Sequence, residues 1–372
     1  MTSVSGVKLG MFTMPFHPHD RAYADILRED QEAVVLADQL GFSEFFVGEH
    51  FSSLSERITS PLIFLASVIN RTKQIKFGTG VINLPQLHPA TVAAHAAMFD
   101  QLTGGRFIMG IGPGGLVSDL ELFELGQPEL RPQMVLESID MVLKLWANDP
   151  PYELKGKFWN IELKNGIWPE FKVGWLPRPL QQPHPPIAIS LVTPNSSTGK
   201  VAGQRGWIPV SGNFFNKRFL KGHWEKYVEG CESVGRKPDP SVWRVSRCVL
   251  VCESDAEAAD YIAATDTSMQ YYYSFFRHSM AKGRGALFML KDDDKVSDEA
   301  TTVDAIKRSQ VIFGSPKRVL DQLVALREET GPFGTLLLTG HDWDRPKMWQ
   351  RSMQLMATEV MPRLNRHALA AE

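Results

Sequence analysis

The sequence is poor in cysteine, in net charge and in long apolar runs. Its 372 residues include three cysteines, too few and too poorly spaced for a disulfide framework or a zinc site. The net charge of −2 argues against nucleic acid as a partner. No run of about eighteen apolar residues is present, and the opening residues, MTSVSGVKLG, lack the order of a secretory signal. We therefore expect a reduced, cytoplasmic protein that binds neither membrane nor nucleic acid.

Several catalytic motifs are also missing. The sequence contains no GxSxG nucleophile elbow and no Walker loop. Its glycine loop GIGPGG, at residues 110–115, follows a fourth predicted strand, whereas the dinucleotide-binding fingerprint follows a first strand. The histidines at 17, 50 and 341 could meet in space, but no cluster has the order of metal ligands. No metal site is therefore predicted.

What is present is a strand–helix–strand unit at residues 75–115. Ile75–Val81 is rich in strand formers, and Pro89–Leu102 has helical spacing that ends at Gly104. Arg106–Ile111 is a second apolar strand. Such a βαβ unit builds parallel sheet, with function expected at the carboxyl ends of the strands.

The same alternation recurs along the chain and gives eight predicted strands. They are Val7–Thr13, Glu44–Gly48, Ile75–Val81, Arg106–Ile111, Ile187–Ser190, Trp207–Val210, Trp243–Cys252 and Thr335–Leu338. Eight strands alternating with helices, without a linker, predict an α/β fold: a single (β/α)8 TIM-barrel domain over residues 1–372. A doubly wound open sheet is the alternative, and the missing fingerprint after the first strand weighs against it.

Two segments interrupt the alternation. Residues 150–186 are rich in Pro and Trp and predict an insertion with at most a short hairpin. Residues 265–304 hold the tyrosine run Tyr271–Tyr273, Arg277 and a polar KDDDKVSDE stretch. A connection this long inside a compact domain is typical of a lid or a disordered segment, so we predict a lid or a surface loop with a buried aromatic cluster.

The residues at the ends of the predicted strands carry little charge: a few imidazoles, a carboxylate, amides and hydroxyls stand among many apolar side chains. In a barrel they converge on one mouth, where the aromatic and thioether side chains favour an apolar substrate. The predicted substrate-pocket residues are Phe12, Met14, Phe51 and Trp343.

A phosphate site is predicted before the fifth helix, in the segment TPNSST at residues 193–198. Hydroxyl and amide side chains there lie beside the unpaired N–H groups of a helix start, which suits a phosphate. The four candidates are Asn195, Ser196, Ser197 and Thr198. An ordinary helix cap is the alternative interpretation.

The motifs taken together resemble the bacterial luciferase-like flavin-dependent monooxygenases. The similar features are Gly41-Phe42 to Glu49-His50, LPQLHP at 84–89, Asp100 with GGR at 104–106, GIGPGG, AxxxGW at 202–207 and FGSP at 313–316. Within that family, the segments MPFHP, VGEHF, LPQLHP and GHDWD resemble members labelled limonene 1,2-monooxygenase.

The resemblance implies a two-component enzyme. A separate NAD(P)H-flavin reductase would supply reduced FMN, which would react with O2 to a C4a-(hydro)peroxyflavin and oxygenate a small apolar organic substrate such as a terpenoid. FAD or F420 is a less favoured cofactor. Relatives also imply a homodimer, for which the alanines of the third helix offer a smooth face unless they pack onto the barrel.

The resemblance also implies roles for individual residues. His50 matches an acid/base histidine, and His17 matches one that lies beside the flavin in relatives. The cofactor-binding positions are Gly80, Val81, Asn83, Gly112, Ser190 and the four phosphate candidates, with a non-prolyl cis peptide expected between Gly80 and Val81.

Two positions depart from the family pattern. Gly112 stands where luciferases have a reactive cysteine, and Pro113 where they have a phosphate-binding arginine. Arg131 or Arg178 would then supply the cation, or Arg277 from a closing lid. Two other functions remain open, an F420-dependent dehydrogenase of the same barrel family and a non-catalytic flavin-binding protein.

Overall fold

The computed structural model describes residues 6–14, 16–283 and 285–370. Among them are thirteen strands: β1 (Lys8–Thr13), β2 (Glu44–Val47), β3 (Lys76–Thr79), β4 (Ile82–Asn83), β5 (Phe107–Gly112), β6 (Tyr152–Lys155), β7 (Asn160–Leu163), β8 (Ile187–Leu191), β9 (Ile208–Ser211), β10 (Arg244–Arg247), β11 (Val249–Val251), β12 (Ile312–Gly314) and β13 (Thr335–Gly340). Strands β1, β2, β3, β5, β8, β9, β10 and β13 form the closed parallel sheet of a (β/α)8 barrel. The predicted fold class and its eight strands are confirmed.

Helices alternate with these strands. They are α1 (Tyr23–Gln39), α2 (Pro61–Ala66), α3 (Pro89–Leu102), α4 (Val117–Leu122), α5 (Arg131–Ala147), α6 (Ser197–Arg205), α7 (Leu220–Glu232), α8 (Asp255–Ala263), α9 (Ser268–His278), α10 (Val303–Gln310), α11 (Pro316–Thr330), α12 (Pro346–Leu355) and α13 (Met361–Ala370). In the part of the chain that the structure describes, none of these helices is both long and apolar enough to cross a bilayer.

The chain divides into two compact units, and the first comprises residues 1–46, 54–56 and 189–372. Its sheet is built around β13, which pairs in parallel with β1 on one side and with β10 on the other. At the amino end of these strands the Arg244 guanidinium donates to both oxygens of the buried Glu44 carboxylate, at 2.9 and 3.1 Å. This bidentate pair compensates a charge that would be costly to bury alone.

The second unit comprises residues 47–53 and 57–188. Strand β5 pairs in parallel with β3 and β4. Strands β3 and β5 approach closely at Gly110. Its N–H donates to the Thr79 hydroxyl at 2.9 Å, and that hydroxyl donates to the Gly110 carbonyl at 2.7 Å. A Cβ on Gly110 would overlap the Thr79 carbonyl oxygen, so only glycine fits there.

The sequence left open whether the alanines of α3 form a dimer face or pack onto the barrel. Ala93, Ala96 and Ala97 are fully buried within this single chain, and the Trp146 indole donates to the Ala93 carbonyl at 3.0 Å. These alanines therefore pack inside the second unit. The exposed apolar residues of α3 are instead Met98 and Leu102.

The two insertions differ in how well the sequence predicts them. Residues 150–186 contain the expected hairpin, β6 paired antiparallel with β7. Residues 265–304 contain the helix α9, which the sequence analysis did not predict. Helix α9 is amphipathic, because its buried residues follow helical spacing. Its buried face is mostly aromatic and includes Met269, Tyr272, Tyr273 and Phe276.

The predicted strand Trp243–Cys252 is two strands. Strand β10 ends at Arg247, and β11 leaves the barrel to pair in parallel with β12. The three cysteines are free and buried.

Candidate functional site

In the second unit, polar groups collect where β2 and β3 end. The Glu49 carboxylate, which is 6% exposed, accepts the backbone N–H of Asn83 at 2.9 Å. The Asn83 side-chain amide donates to the Glu49 carbonyl at 3.1 Å. Burial raises the pKa of Glu49 to about 7, although the Asn83 N–H and the nearby His50 act in the opposite direction. A carboxyl that exchanges its proton near neutral pH thus lies next in sequence to the half-buried His50.

The loop after Glu49 is held by Asp119. This carboxylate, on α4, is 1% exposed and accepts the backbone N–H groups of Phe51 at 2.9 Å and Ser52 at 2.8 Å. The Phe51 ring packs edge-on against Phe123 at 5.0 Å between ring centroids. Asp119 therefore fixes the backbone that carries His50 and Phe51.

The glycine positions of this unit lie beside the same cluster. The Gly80–Val81 peptide is cis, which confirms the one backbone feature that the resemblance implied. Gly114 has a φ of +76°, and a Cβ there would lie 3.5 Å from the Asn83 side-chain oxygen. The predicted residues Val81, Asn83 and His50 thus belong to one region of the second unit, and Gly112 pairs with Asn83 across β4 and β5.

In the first unit, His17 lies between two carboxylates. Its Nδ1 is 2.6 Å from Asp342, and its Nε2 is 3.2 Å from Asp30. Arg21 contacts Asp342 as well and donates to Glu29 at 3.0 Å. The side chains of His17, Asp30 and Asp342 are each at most 5% exposed.

This arrangement favours a charged imidazole. Burial lowers the pKa of His17, but hydrogen bonds and charges from Asp30 and Asp342 outweigh it and raise the pKa to about 9. Burial raises the pKa of Asp30, against the effect of His17. His17 therefore carries a proton on each ring nitrogen at neutral pH, and both protons are engaged by carboxylates.

The same residues have the composition of a metal site. His17, Glu29 and Asp342 offer ligand atoms within 4.8 Å of one another. However, the Arg21 guanidinium contacts both Glu29 and Asp342, so these two carboxylates already have a protein cation as partner. The carboxylates of the cluster are paired with His17 and Arg21, as expected for a buried ion-pair network.

The predicted phosphate segment lies at the start of α6. Ser196 precedes the helix, and its side chain makes no capping hydrogen bond. Asn195 adopts a left-handed φ of +50°, and a Cβ on Gly222 would fall 2.5 Å from its side-chain oxygen. The helix start therefore keeps its backbone N–H groups uncapped by Ser196, beside the exposed Ser197 and the half-buried Thr198.

His223 is hydrogen-bonded to the loop that precedes α6. Its Nε2 is 2.8 Å from the Thr193 carbonyl, and its Nδ1 is 3.0 Å from the Ser211 hydroxyl. Burial lowers the pKa of His223 to about 4, so the ring is neutral and links β9 to the loop before α6.

Helix α9 brings further polar and aromatic groups to the ends of β9, β10 and β13. The Asn213 amide donates to the Tyr272 hydroxyl at 2.5 Å and lies 3.4 Å from the Cys248 sulfur. Phe16 packs against Phe275 at 4.2 Å and Tyr272 at 5.7 Å between ring centroids. A buried aromatic cluster thus holds the second insertion in place within the first unit.

The remaining predicted residues have varied surroundings. Phe12 is buried and stacks on Phe46 at 6.5 Å, Met14 and Ser190 are half-buried, and the Trp343 N–H donates to Glu29 at 2.7 Å. Trp343 therefore adjoins the His17 network.

The three candidate cations are also engaged differently. Arg178 is exposed and pairs with Asp149 at 2.6 Å. Arg277 donates to the Thr301 carbonyl at 2.6 Å. Arg131 is half-buried, and its Nε has no hydrogen-bond partner among the described residues. Arg131 thus differs from the other two candidates in having a buried donor without a partner there.

Sequence analysis missed the buried carboxylates Asp30 and Asp119, the linking His223 and the Asn213–Tyr272 pair. A signal existed for Asp30, because it falls on the inward stripe of α1 with Ile26 and Ala33. A carboxylate on an apolar stripe indicates a buried partner. The Asn213–Tyr272 pair depends on the docking of α9, which has no local signal.

Comparison with known proteins gives a consistent picture. The profile described as luciferase-like monooxygenase matches residues 7–332. The 4-hydroxyprotoasukamycin monooxygenase of Streptomyces nodosus subsp. asukaensis is 31% identical, over 96% of this chain and 92% of its own. Limonene 1,2-monooxygenase of Rhodococcus erythropolis is 28% identical, over 96% and 87%.

One solved structure is also similar over nearly the whole chain. It is the oxygenating constituent of 3,6-diketocamphane monooxygenase from Pseudomonas putida, a type II Baeyer-Villiger monooxygenase in complex with FMN. Its TM-score is 0.87 at 27% identity, with 96% of this chain and 98% of that chain covered.

Proposed function

Because the chain belongs to the luciferase-like monooxygenase family, we propose that it is the oxygenase of a two-component system that uses reduced FMN and O2 to oxygenate a small apolar organic substrate such as a terpenoid. The observation that carries this proposal is the likeness of the whole chain to a monooxygenase structure that holds FMN. A separate NAD(P)H-flavin reductase would supply the reduced flavin.

The start of α6 suits the phosphate of FMN. Its N–H groups are not capped by Ser196, and the hydroxyls of Ser197 and Thr198 and the amide of Asn195 supply neutral donors. Phosphates bind at such helix starts because the N–H groups and the helix dipole favour negative charge. We assign Asn195, Ser196, Ser197 and Thr198 to hold the phosphate.

The strand-end cluster of the second unit suits the flavin ring. Gly80, Val81 and Gly112 present backbone and little side-chain volume, which permits a flat group to approach. Asn83 keeps a fixed orientation because Glu49 binds both its amide and its N–H. We propose that these residues orient the ring, with Ser190 as a further contact.

When bound, reduced FMN supplies the electrons that activate O2. The protein then has to exclude water and control one proton. We propose that His50 holds and releases that proton, since an imidazole titrates near neutral pH. Glu49, with a pKa raised to about 7, can exchange a proton in the same pH range. The apolar side chains of Phe12, Met14, Phe51 and Trp343 would surround the substrate.

The first test mixes the protein and reduced FMN with oxygenated buffer in a stopped-flow absorbance experiment. A long-lived species, spectrally distinct from both reduced and oxidised FMN, supports the proposal. Flavin that reoxidises as fast as it does free in solution, together with reduction of F420 by an alcohol, would indicate a dehydrogenase instead.

A further inference from the structure

His341 is a buried imidazole whose ring nitrogens the described residues leave unpaired. It directly follows β13, at the carboxyl end of the strand, and is 5% exposed. Among the residues that the structure describes, neither its Nδ1 nor its Nε2 has a partner. Buried polar groups are nearly always paired, so two open ring nitrogens on one side chain need an explanation.

The polar atoms around His341 are bonded to other residues, and none in the described part of the chain makes a hydrogen bond to its ring nitrogens. The Tyr272 hydroxyl accepts from Asn213 at 2.5 Å. The Trp349 indole N–H donates to Asp344 at 2.8 Å. Asp342, the next residue along the chain, is bound to His17 at 2.6 Å.

Aromatic rings also fix the orientation of the imidazole. Trp349 stacks on it at 5.3 Å between centroids, and Tyr272 meets it edge-on at 4.7 Å. Burial lowers the pKa of His341 to about 3, against the effect of Asp342. The ring is therefore neutral at physiological pH and presents one N–H donor in aromatic surroundings.

We propose that His341 binds the substrate, donating its ring N–H to an uncharged carbonyl oxygen, and that the substrate is accordingly a ketone rather than a hydrocarbon. The inference rests on the proposed function, since it names the substrate class of that oxygenase. A neutral donor among aromatic rings matches an uncharged oxygen acceptor on an apolar skeleton. A site built to bond an oxygen discriminates against an analogue that lacks it, because the donor is then left unpaired.

The test compares the binding of two C10 probes, 3,6-diketocamphane and limonene, by calorimetry without flavin or turnover. The wild type is expected to bind the diketone at least about tenfold more tightly than the alkene. His341→Phe should abolish that preference by weakening diketone binding alone, and His341→Asn, which keeps an N–H donor, should retain part of it.

Thr335→Val is the matched control. It removes a buried hydroxyl that also has no partner among the described residues, at the opposite end of β13, and should leave the preference unchanged. Near-UV circular dichroism verifies that each variant is folded, and His341→Asn carries the test if His341→Phe does not fold.

Three results would overturn the inference: equal binding of both probes to the wild type, binding of neither, or the same loss for both probes in His341→Phe. Because no flavin takes part, these outcomes are independent of the stopped-flow result. A protein that prefers the diketone but does not alter flavin oxidation would retain the His341 site and lose the proposed oxygenase activity.

Discussion

At the scale of single residues, the molecule buries ionisable groups where strands end and places each in a different environment. Glu49 is held by Asn83, and His17 by Asp30 and Asp342. His341 has no partner among the described residues. Burial moves all three pKa values, and the partner decides whether the charged or the neutral form prevails.

His50→Ala should bind FMN as the wild type does and lose product formation. The reason is that His50 is proposed to handle the proton of the oxygen chemistry, whereas the phosphate is assigned to α6. Flavin fluorescence titration measures binding, and oxygen uptake against product measures coupling. The exposed His95→Ala serves as control. Coupling at the wild-type level in His50→Ala would remove His50 from the mechanism.

Glu49 should make stability fall as pH rises. Its folded pKa of about 7 exceeds its ordinary value of 4.5, so between these pH values the folded state binds more protons than the unfolded state. The contribution present below pH 4.5 is lost as pH rises through 7, by about 3 kcal/mol in total. Glu49→Gln should flatten this part of the urea-unfolding profile, and the exposed Glu121→Gln should not. An unchanged profile in Glu49→Gln contradicts the prediction.

At the scale of elements, side chains tie loops and helices to the strand ends. His17 joins the loop after β1 to α1 through Asp30 and to the loop after β13 through Asp342. Phe16 joins the same loop to α9. Three segments distant in sequence are thereby fixed by two adjacent residues.

His17→Gln should destabilise the protein by about 3–5 kcal/mol at neutral pH, because it leaves buried carboxylates without their cation. The folded pKa of His17 is raised, so its contribution is fully present below pH 6.5 and is lost as pH rises through about 9. The gap between variant and wild type should therefore narrow at high pH. Adding Asp30→Asn to His17→Gln should recover part of the lost free energy of unfolding, as measured by chemical denaturation. A double variant no more stable than His17→Gln would argue against a stabilising pair between His17 and Asp30.

Gly110→Ala should prevent folding of the second unit. The added Cβ would overlap the Thr79 carbonyl, so β5 could no longer lie against β3. Gly126→Ala is the control, since a Cβ there meets nothing within 4 Å. Soluble yield and circular dichroism compare the two variants, and a folded Gly110→Ala protein would show that the strands can separate at no great cost.

Sequence patterns predicted the elements whose signals are local. The eight barrel strands were legible as apolar runs between helices, and the β6–β7 hairpin as a Pro- and Trp-rich interruption. Helix α9 was missed because its apolar stripe consists of Met269, Tyr272, Tyr273 and Phe276, where aromatic clustering obscured the helical spacing. The contacts of His17 with Asp30 and Asp342 span 13 and 325 residues, and such pairs depend on the fold.

At the scale of the whole molecule, the neighbouring helices α2 and α3 both carry exposed apolar residues. Ile63 is 76% exposed, Met98 55% and Leu102 58%. Isolated apolar residues are common on protein surfaces, but a group on adjacent helices is typical of an interface.

We therefore predict a homodimer through this face. Sedimentation equilibrium should give twice the chain mass of 41.7 kDa, and Met98→Glu should shift the protein toward monomer because it would bury a charge. Leu122→Glu, on the exposed side of α4, is the matched control. A wild-type protein that sediments as a monomer refutes the prediction.

The pairing of β11 with β12 also makes the intervening chain separable from the barrel. Val249 lies opposite Ile312 and Val251 opposite Gly314, so the two ends of residues 252–311 are pinned side by side by a small sheet of their own. Residues 252–311 contain none of the eight barrel strands, and they supply Tyr272, one of the two rings that pack on His341. We therefore expect that residues 252–311 can be exchanged as one segment, by evolution or by protein engineering. Such an exchange would change substrate choice while the eight barrel strands are kept.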